Sequence, residues 1–204
     1  MSFGSGRWYR ADALRRLGLA KGHALIDVGC GTGVIAALAQ KLVAENGKVV
    51  AVDPSEGMLG EARNAGVRDT RQGVGERLPA GDGEFDFLTM GYALRHVADL
   101  RSAFAEYRRV LRPGGKVLLL EITRPAGRLQ YHALKFYLKY VVPALTRLAR
   151  RSHDAQTLMK YYWDTIDSCV PPERILGELA NAGFTQVRRH VIYGVFSEYT
   201  AVRP

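Results

Sequence analysis

Apolar runs of strand length alternate along this chain with amphipathic stretches of helical length, and that order predicts the architecture. Ala24 to Val28 (ALIDV) reads as a buried strand, Gly33 to Ala44 as a helix, and Lys48 to Val52 (KVVAV) as a second strand. A second helix is expected from Ser55 to Asn64, stopped near Gly66, and a weak third strand from Thr70 to Gly73. Phe85 to Gly91 (FDFLTMG) is the fourth strand, Asp99 to Val110 a helix, and Lys116 to Ile122 (KVLLLEI) the fifth strand after a turn at Pro113-Gly114-Gly115. Alternation of this kind implies an α/β fold with a doubly wound, mostly parallel sheet. After an interruption from Arg124 to about Asp167, Pro172 to Ala182 reads as a helix opened by proline and closed by Gly183. Gln186 to Ile192 and Val195 to Val202, joined by Tyr193-Gly194, are close enough in sequence for an antiparallel hairpin. The expectation is one domain over residues 1–204, seven strands, and an insertion at 124–167.

Composition narrows the class without changing the fold. With 204 residues, 47% hydrophobic and 24% charged, the chain has enough apolar side chain for a full core, which excludes intrinsic disorder. Cys30 and Cys169 have no paired-ligand spacing, so neither a disulfide framework nor a zinc site is implied, and a reducing, cytoplasmic compartment fits. The opening residues MSFGSGRWYRADALRR break any apolar run with Gly, Arg and Asp, so neither a cleaved leader nor a spanning helix is expected. Formal charge is +9, and most of the excess lies between residues 124 and 160, where eight basic side chains face a single acid, Asp154. Such a segment suits nucleic acid, anionic lipid, an acidic partner or plain solvent.

Strand one runs into Asp27-Val28-Gly29-Cys30-Gly31-Thr32-Gly33, and a helix follows at once. Glycines there allow a tight turn and let a ligand approach the backbone, and the helix start offers N–H groups to a carboxylate or phosphate. The pattern is GxGxG rather than the dinucleotide GxGxxG, and no Walker lysine follows. Asp53 ends strand two, where an acid hydrogen-bonds ribose hydroxyls. Loop and acid in that order point to a nucleoside ligand.

IDVGCGTG, the acid of VDPSEGML, and RVLRPGGKVLLLE resemble the class I S-adenosylmethionine-dependent methyltransferases, whose sheet is Rossmann-like. MSFGSGRW, YALRHV after strand four and EITRP after strand five are similar, more narrowly, to the C-methyltransferases of ubiquinone and menaquinone biosynthesis. The resemblance covers almost the whole chain. It implies S-adenosylmethionine as cofactor and S-adenosylhomocysteine as product, with Thr32 and the loop glycines Gly29, Gly31 and Gly33 around the methionine part and Asp27 and Met58 among the cofactor-binding residues. It also implies Asp53 on the ribose, Val74 and Gly75 at the adenine edge, and Gly91 leaving space beside the sulfonium. The chain departs from the family at Val74, where relatives carry Asn or Asp, at Leu94-Arg95-His96, where they carry LRN, and in its last residues, YGVFSEYTAVRP. Relatives also have a helical segment ahead of MSFG, so Met1 matches a methionine that is internal in them.

The loop after strand four, Gly91 to Val97, lies where an open α/β sheet binds ligands. Methylating an aromatic carbon next to a hydroxyl requires loss of a phenolic proton and then of a ring proton. Arg95 is the candidate to stabilise the phenolate or polarise a water, and otherwise a capping or salt-bridging residue. His96, with an ordinary pKa of about 6.5, is either the proton acceptor or a structural histidine. The loop lacks the Asn or Asp with paired prolines that amino-group methylation of bases uses, and no nucleic-acid partner is expected. The insertion holds Tyr131, Phe136, Tyr137, Tyr140, Tyr161, Tyr162 and Trp163, seven of the 19 aromatics. Leu134, Leu138, Val141, Leu145 and Leu148 recur at helical spacing, with Lys135, Lys139, Arg150 and Arg151 on the other side and Pro143 breaking the run. Either this is a cap forming an aromatic pocket, with its basic face on anionic headgroups, or a helix packed on the core with a solvated face. The function expected is methyl transfer to a ring carbon of a lipophilic quinol-like or phenolic molecule. O-methylation of a phenolic lipid and a non-catalytic cofactor-binding role are the alternatives.

Overall fold

Residues 5–122, 127, 170–192, 194 and 196–204 are described by a computed structural model, residues 5–7 through their backbone only. Seven strands, β1 (Ala24–Val28), β2 (Lys48–Asp53), β3 (Asp69–Gln72), β4 (Phe85–Gly91), β5 (Leu111–Ile122), β6 (Thr185–Ile192) and β7 (Phe196–Val202), form one sheet. Their order is β3-β2-β1-β4-β5-β7-β6, parallel from β3 to β5 and antiparallel at β7. This is the doubly wound α/β sheet with a C-terminal antiparallel hairpin that the strand–helix alternation predicts. The insertion, apart from Gly127, lies outside the described residues, as do Tyr193 and Val195 of the hairpin connection.

Helices cover both faces of the sheet, which is why its central strands are continuous apolar runs. Every residue of β1 is buried. On one face α1 (Ser5–Leu17), α2 (Val34–Val43) and α3 (Glu56–Asn64) pack Leu14, Ala36, Ala39 and Ala62 against Leu25, Val49, Ala51, Leu118 and Leu120. On the other, α4 (Leu100–Val110) and α5 (Pro172–Asn181) pack Phe104, Tyr107, Ile175 and Leu179 against Ile26, Val50, Leu88 and Leu119. The helix starts follow from local chemistry. Ser55 accepts the Met58 N–H, Asp99 accepts those of Arg101 and Ser102, and Pro172 stands at the first turn of α5.

Two differences from the sequence reading have physical causes. Helix α1 is not predicted, because Arg7, Arg10, Arg15 and Arg16 interrupt its apolar positions. It is held by docking instead: Ala13, Leu14 and Leu17 bury against α2, and Arg16 donates to both oxygens of Glu198 on β7 at 2.9 and 2.8 Å. Strand β5 begins at Leu111, not Lys116. Between them the ladder slips, Phe85 pairing with Leu111 and Phe87 with Lys116, and Gly114 has φ +79°, so the expected bend at Pro113-Gly114-Gly115 forms as a bulge within the strand, tied to the end of β7 by the Gly114 N–H on the Arg203 carbonyl and the Arg203 N–H on that of Gly115, both at 2.8 Å.

Phe104 is fully buried, its ring 5.7 Å from that of Tyr107. Phe104→Ala is expected to lower stability by about 3–5 kcal/mol in chemical denaturation, whereas Trp8→Ala, at a side chain 67% exposed, should change it little.

Candidate active site

Strand β1 has β2 on one side and β4 on the other, and the chain leaves it in opposite directions, which opens a crevice beyond the strands' carboxyl ends. The glycine loop lies there. Gly33 has φ +75°, and a Cβ on it would fall 2.8 Å from Val67 and 2.9 Å from Ala62, so this glycine lets α3 approach the start of α2. Gly31, at φ +53°, would meet nothing within 4 Å, and its outer side is open. A Cβ on Gly29 would meet that of Ala93 at 2.6 Å, which presses the glycine loop against the loop after β4. Thr32 is exposed at the tip.

Asp27, expected to contact a ligand, faces the protein instead. It is 1% exposed, its oxygens accept the Thr89 hydroxyl of β4 at 2.8 Å and the Ala36 N–H of α2 at 3.1 Å, and burial pushes its carboxyl up to about 7. Asp53, at the end of β2, accepts the N–H groups of Gly31 and Ser55, each at 2.9 Å and each on a different oxygen. Met58, in the first turn of α3, and Val74, just after β3, are apolar side chains 45% and 46% exposed. Gly75 lies against the Tyr107 hydroxyl, 2.9 Å from where its Cβ would be. Glu76, not singled out from the sequence, accepts the N–H groups of Ala98 and Asp99 and so ties this loop to the entry of α4.

The loop after β4 carries the reactive candidates. Gly91 does not leave open space: its Cβ would lie 2.4 Å from Ile35 Cδ1, so the room belongs to α2. Tyr92 has φ +60°, a strained conformation for a bulky residue, with its N–H donating to the Leu120 carbonyl at 2.7 Å and the Arg10 guanidinium 4.9 Å above its ring. Burial pushes the Tyr92 hydroxyl pKa up. Leu94–His96 form one turn of 3₁₀ helix with Leu94 buried beneath. His96 is exposed, and partial desolvation followed by the Arg95 charge holds its pKa below the ordinary histidine value. Arg95 is 13% exposed and its Nη1 stands 3.6 Å from Glu121 Oε1, an acid 1% exposed at the end of β5. Glu121, Tyr92 and Arg10 were not read as site residues. Glu121 sits in the quoted EITRP motif, but its nearness to Arg95 depends on β4 and β5 pairing.

Asp53, Gly31, Thr32, Arg95 and His96 thus meet at one end of the sheet. The Asp53 and Arg95 charges both act on His96. The expected acceptor-contacting aromatics Tyr131, Phe136, Tyr140, Tyr161, Tyr162 and Trp163 lie outside the described residues. Among the described residues no cluster of His, Cys, Asp and Glu could hold a metal, and no helix is long and apolar enough to cross a membrane.

A sheet of this order, with a glycine loop after β1 and an acid ending β2, defines a class I S-adenosylmethionine-dependent methyltransferase. A solved S-adenosylmethionine-dependent methyltransferase from Aquifex aeolicus superposes with a TM-score of 0.70 over 96% of this chain and 89% of its own, at 18% identity. Residues 1–203 match the ubiE/COQ5 methyltransferase family, and the chain belongs to it. It is 30% identical to the ubiquinone/menaquinone biosynthesis C-methyltransferase of Saccharophagus degradans, over all of this chain and 84% of that protein. To the demethylmenaquinone methyltransferase of Oceanobacillus iheyensis it is 31% identical, over 92% of this chain and 80% of the other. Membership in a methyltransferase family sets aside the non-catalytic reading.

The glycine geometry makes a prediction. Gly33→Ala should lower stability by about 1–3 kcal/mol through backbone strain, with the clash against Ala62 and Val67 adding to it, while Gly31→Ala carries the strain alone. Urea denaturation of the two variants checks the order, and equal losses would contradict it.

Proposed function

We propose that the protein transfers the methyl group of S-adenosylmethionine to a ring carbon of a lipophilic, quinol-like or phenolic small molecule. The observation that carries this reading is the placing of Arg95 and a His96 of lowered pKa on the turn beyond β4, beside the crevice. When bound, the cofactor supplies a methyl group on a sulfonium, an electrophile that needs an electron-rich acceptor. Arg95 would stabilise the phenolate that makes a ring carbon nucleophilic, and His96, neutral at pH 7, would accept a proton at its ring nitrogen.

The residues present fit the cofactor. Asp53 accepts one N–H on each oxygen, and each oxygen has capacity left for a ribose hydroxyl. The open side of Gly31 and the exposed Thr32 suit the methionine end, where the start of α2 favours a carboxylate. Met58 and Val74 suit the faces and edge of the adenine, Gly75 its backbone contacts, and Gly29, Gly33, Gly91 and Asp27 would act by holding the loops. The names of the Saccharophagus and Oceanobacillus relatives favour a quinol ring. In this reading residues 124–167 form a cap on a single domain, its aromatics lining the acceptor pocket and its basic face touching anionic lipid on the cytoplasmic side.

Incubation with methyl-labelled S-adenosylmethionine and a reduced lipid extract, followed by mass spectrometry, tests the reaction. Label on a ring carbon is expected; label on oxygen would favour the phenolic O-methylation reading, and an unlabelled lipid fraction would overturn both. Arg95→Ala is expected to lower kcat on the order of 100-fold with S-adenosylhomocysteine affinity unchanged, and Arg95→Lys to recover part of it. Asp53→Ala should instead weaken S-adenosylhomocysteine binding by about 1.5–3 kcal/mol in calorimetry. Sedimentation should show more protein on anionic than on neutral vesicles, with the difference lost as salt shortens the screening length below about 10 Å.

A further inference from the structure

We infer that Glu121 is a positioning residue for the transfer, the buried anion that holds the Arg95 guanidinium at the rim of the crevice; this rests on Arg95 acting as proposed above. Glu121 is the last residue but one of β5, follows the buried apolar run Val117 to Leu120, and is 1% exposed. A carboxylate there is costly unless its charge is matched, and an unexplained one is a reason to look for its role. Neither of its oxygens accepts a hydrogen bond of normal geometry from the described residues. Its ion-pair contact is Arg95 Nη1 at 3.6 Å, beyond hydrogen-bond reach, so the two are held by charge and not by a bidentate fork. The backbone N–H groups of Leu94, Arg95 and Ile122 also favour the ionised acid, so the 3₁₀ turn is drawn to Glu121 by its backbone and its side chain together.

The pleat fixes which side of the sheet this acid serves. Val117 and Leu119 join the core beneath α4, Leu118 and Leu120 the core beneath α1 and α2, and Glu121 shares the face of Leu119. Arg95 meets it there from the turn, and Tyr92 feels its charge from the end of β4. Its register partner on β7 is Ser197, which accepts the Arg189 Nε–H from β6 at 3.0 Å. Glu198, the next residue on β7, points to the other face and is taken by Arg16. The second acid near the loop therefore has its own partner.

Burial pushes the Glu121 carboxyl up to about 7, with the Arg95 charge acting against the rise. Above that pH the acid is ionised and anchors the guanidinium. Below it the acid is neutral, and Glu121 differs little from a glutamine. A loss caused only by altered packing would not depend on pH in this way.

The test uses the full chain with ¹⁵N-labelled arginine, the Arg95 side-chain signal being identified by its disappearance in Arg95→Ala. In the parent that signal is expected to titrate with a midpoint near 7, and in Glu121→Gln to lose this step. A flat parent signal, or the same step in the variant, overturns the inference without any turnover being measured. Should Glu121→Gln not fold, the parent titration decides alone. With the lipid acceptor found by labelling, kcat of Glu121→Gln should fall on the order of 10-fold at pH 8.5 and approach the parent at pH 5.5, with KM for S-adenosylmethionine unchanged. A pH-independent ratio contradicts the positioning role. Full turnover by Arg95→Ala would overturn the catalytic reading of Arg95 while leaving the arginine titration standing.

Discussion

A carboxylate buried inside a β-sheet, with donors from two other elements aimed at it, organises the end of this molecule where the chemistry is proposed. Asp27 stands in β1 with almost no exposure and accepts the Thr89 hydroxyl from β4 and the Ala36 N–H from the first turn of α2. Those two bonds hold the strand before the glycine loop, the helix after it and the neighbouring strand in one arrangement. Within that arrangement Gly31 presents its N–H to Asp53, and Gly29 fits against Ala93. Removing the acid would leave a buried hydroxyl and a buried N–H without acceptors, each worth about 1–3 kcal/mol of lost solvation.

Glu121 is the counterpart one strand further on from β4. Both acids lie at or near the carboxyl ends of parallel strands, and burial pushes both up to about 7. They differ in how they are matched. Asp27 is satisfied by directed hydrogen bonds and fixes backbone; Glu121 is matched by the charge of Arg95 and bears on a side chain of the loop after β4. A fold of this class leaves its loops to carry the chemistry, and here each loop is tied to the sheet by one buried acid.

Much of this was legible in the sequence because local pattern and tertiary environment agree. Ala24 to Ile26 and Val117 to Leu120 are unbroken apolar runs since helices cover both faces of their strands, and Asp53 could be placed at a strand end because the run KVVAV stops there. Helix α1 was not legible: its four arginines obscure a stripe that exists only against α2 and Glu198. Nor was the orientation of Asp27, the filling of the space at Gly91 by Ile35, or the left-handed backbone of Tyr92. Each depends on what packs beside a residue from far along the chain. Arg95 was visible as a charged side chain in the right loop, but its anchor 26 positions later became visible only once β4 and β5 lay side by side.

The most direct test of the account is calorimetric titration of Asp27→Val with S-adenosylhomocysteine. Valine fills the space but accepts neither hydrogen bond, so the glycine loop and the start of α2 lose their common tether. The account predicts a protein that retains its far-ultraviolet circular dichroism while its affinity falls by on the order of 10-fold or more. A folded variant that binds as tightly as the parent would show that the crevice is organised without Asp27.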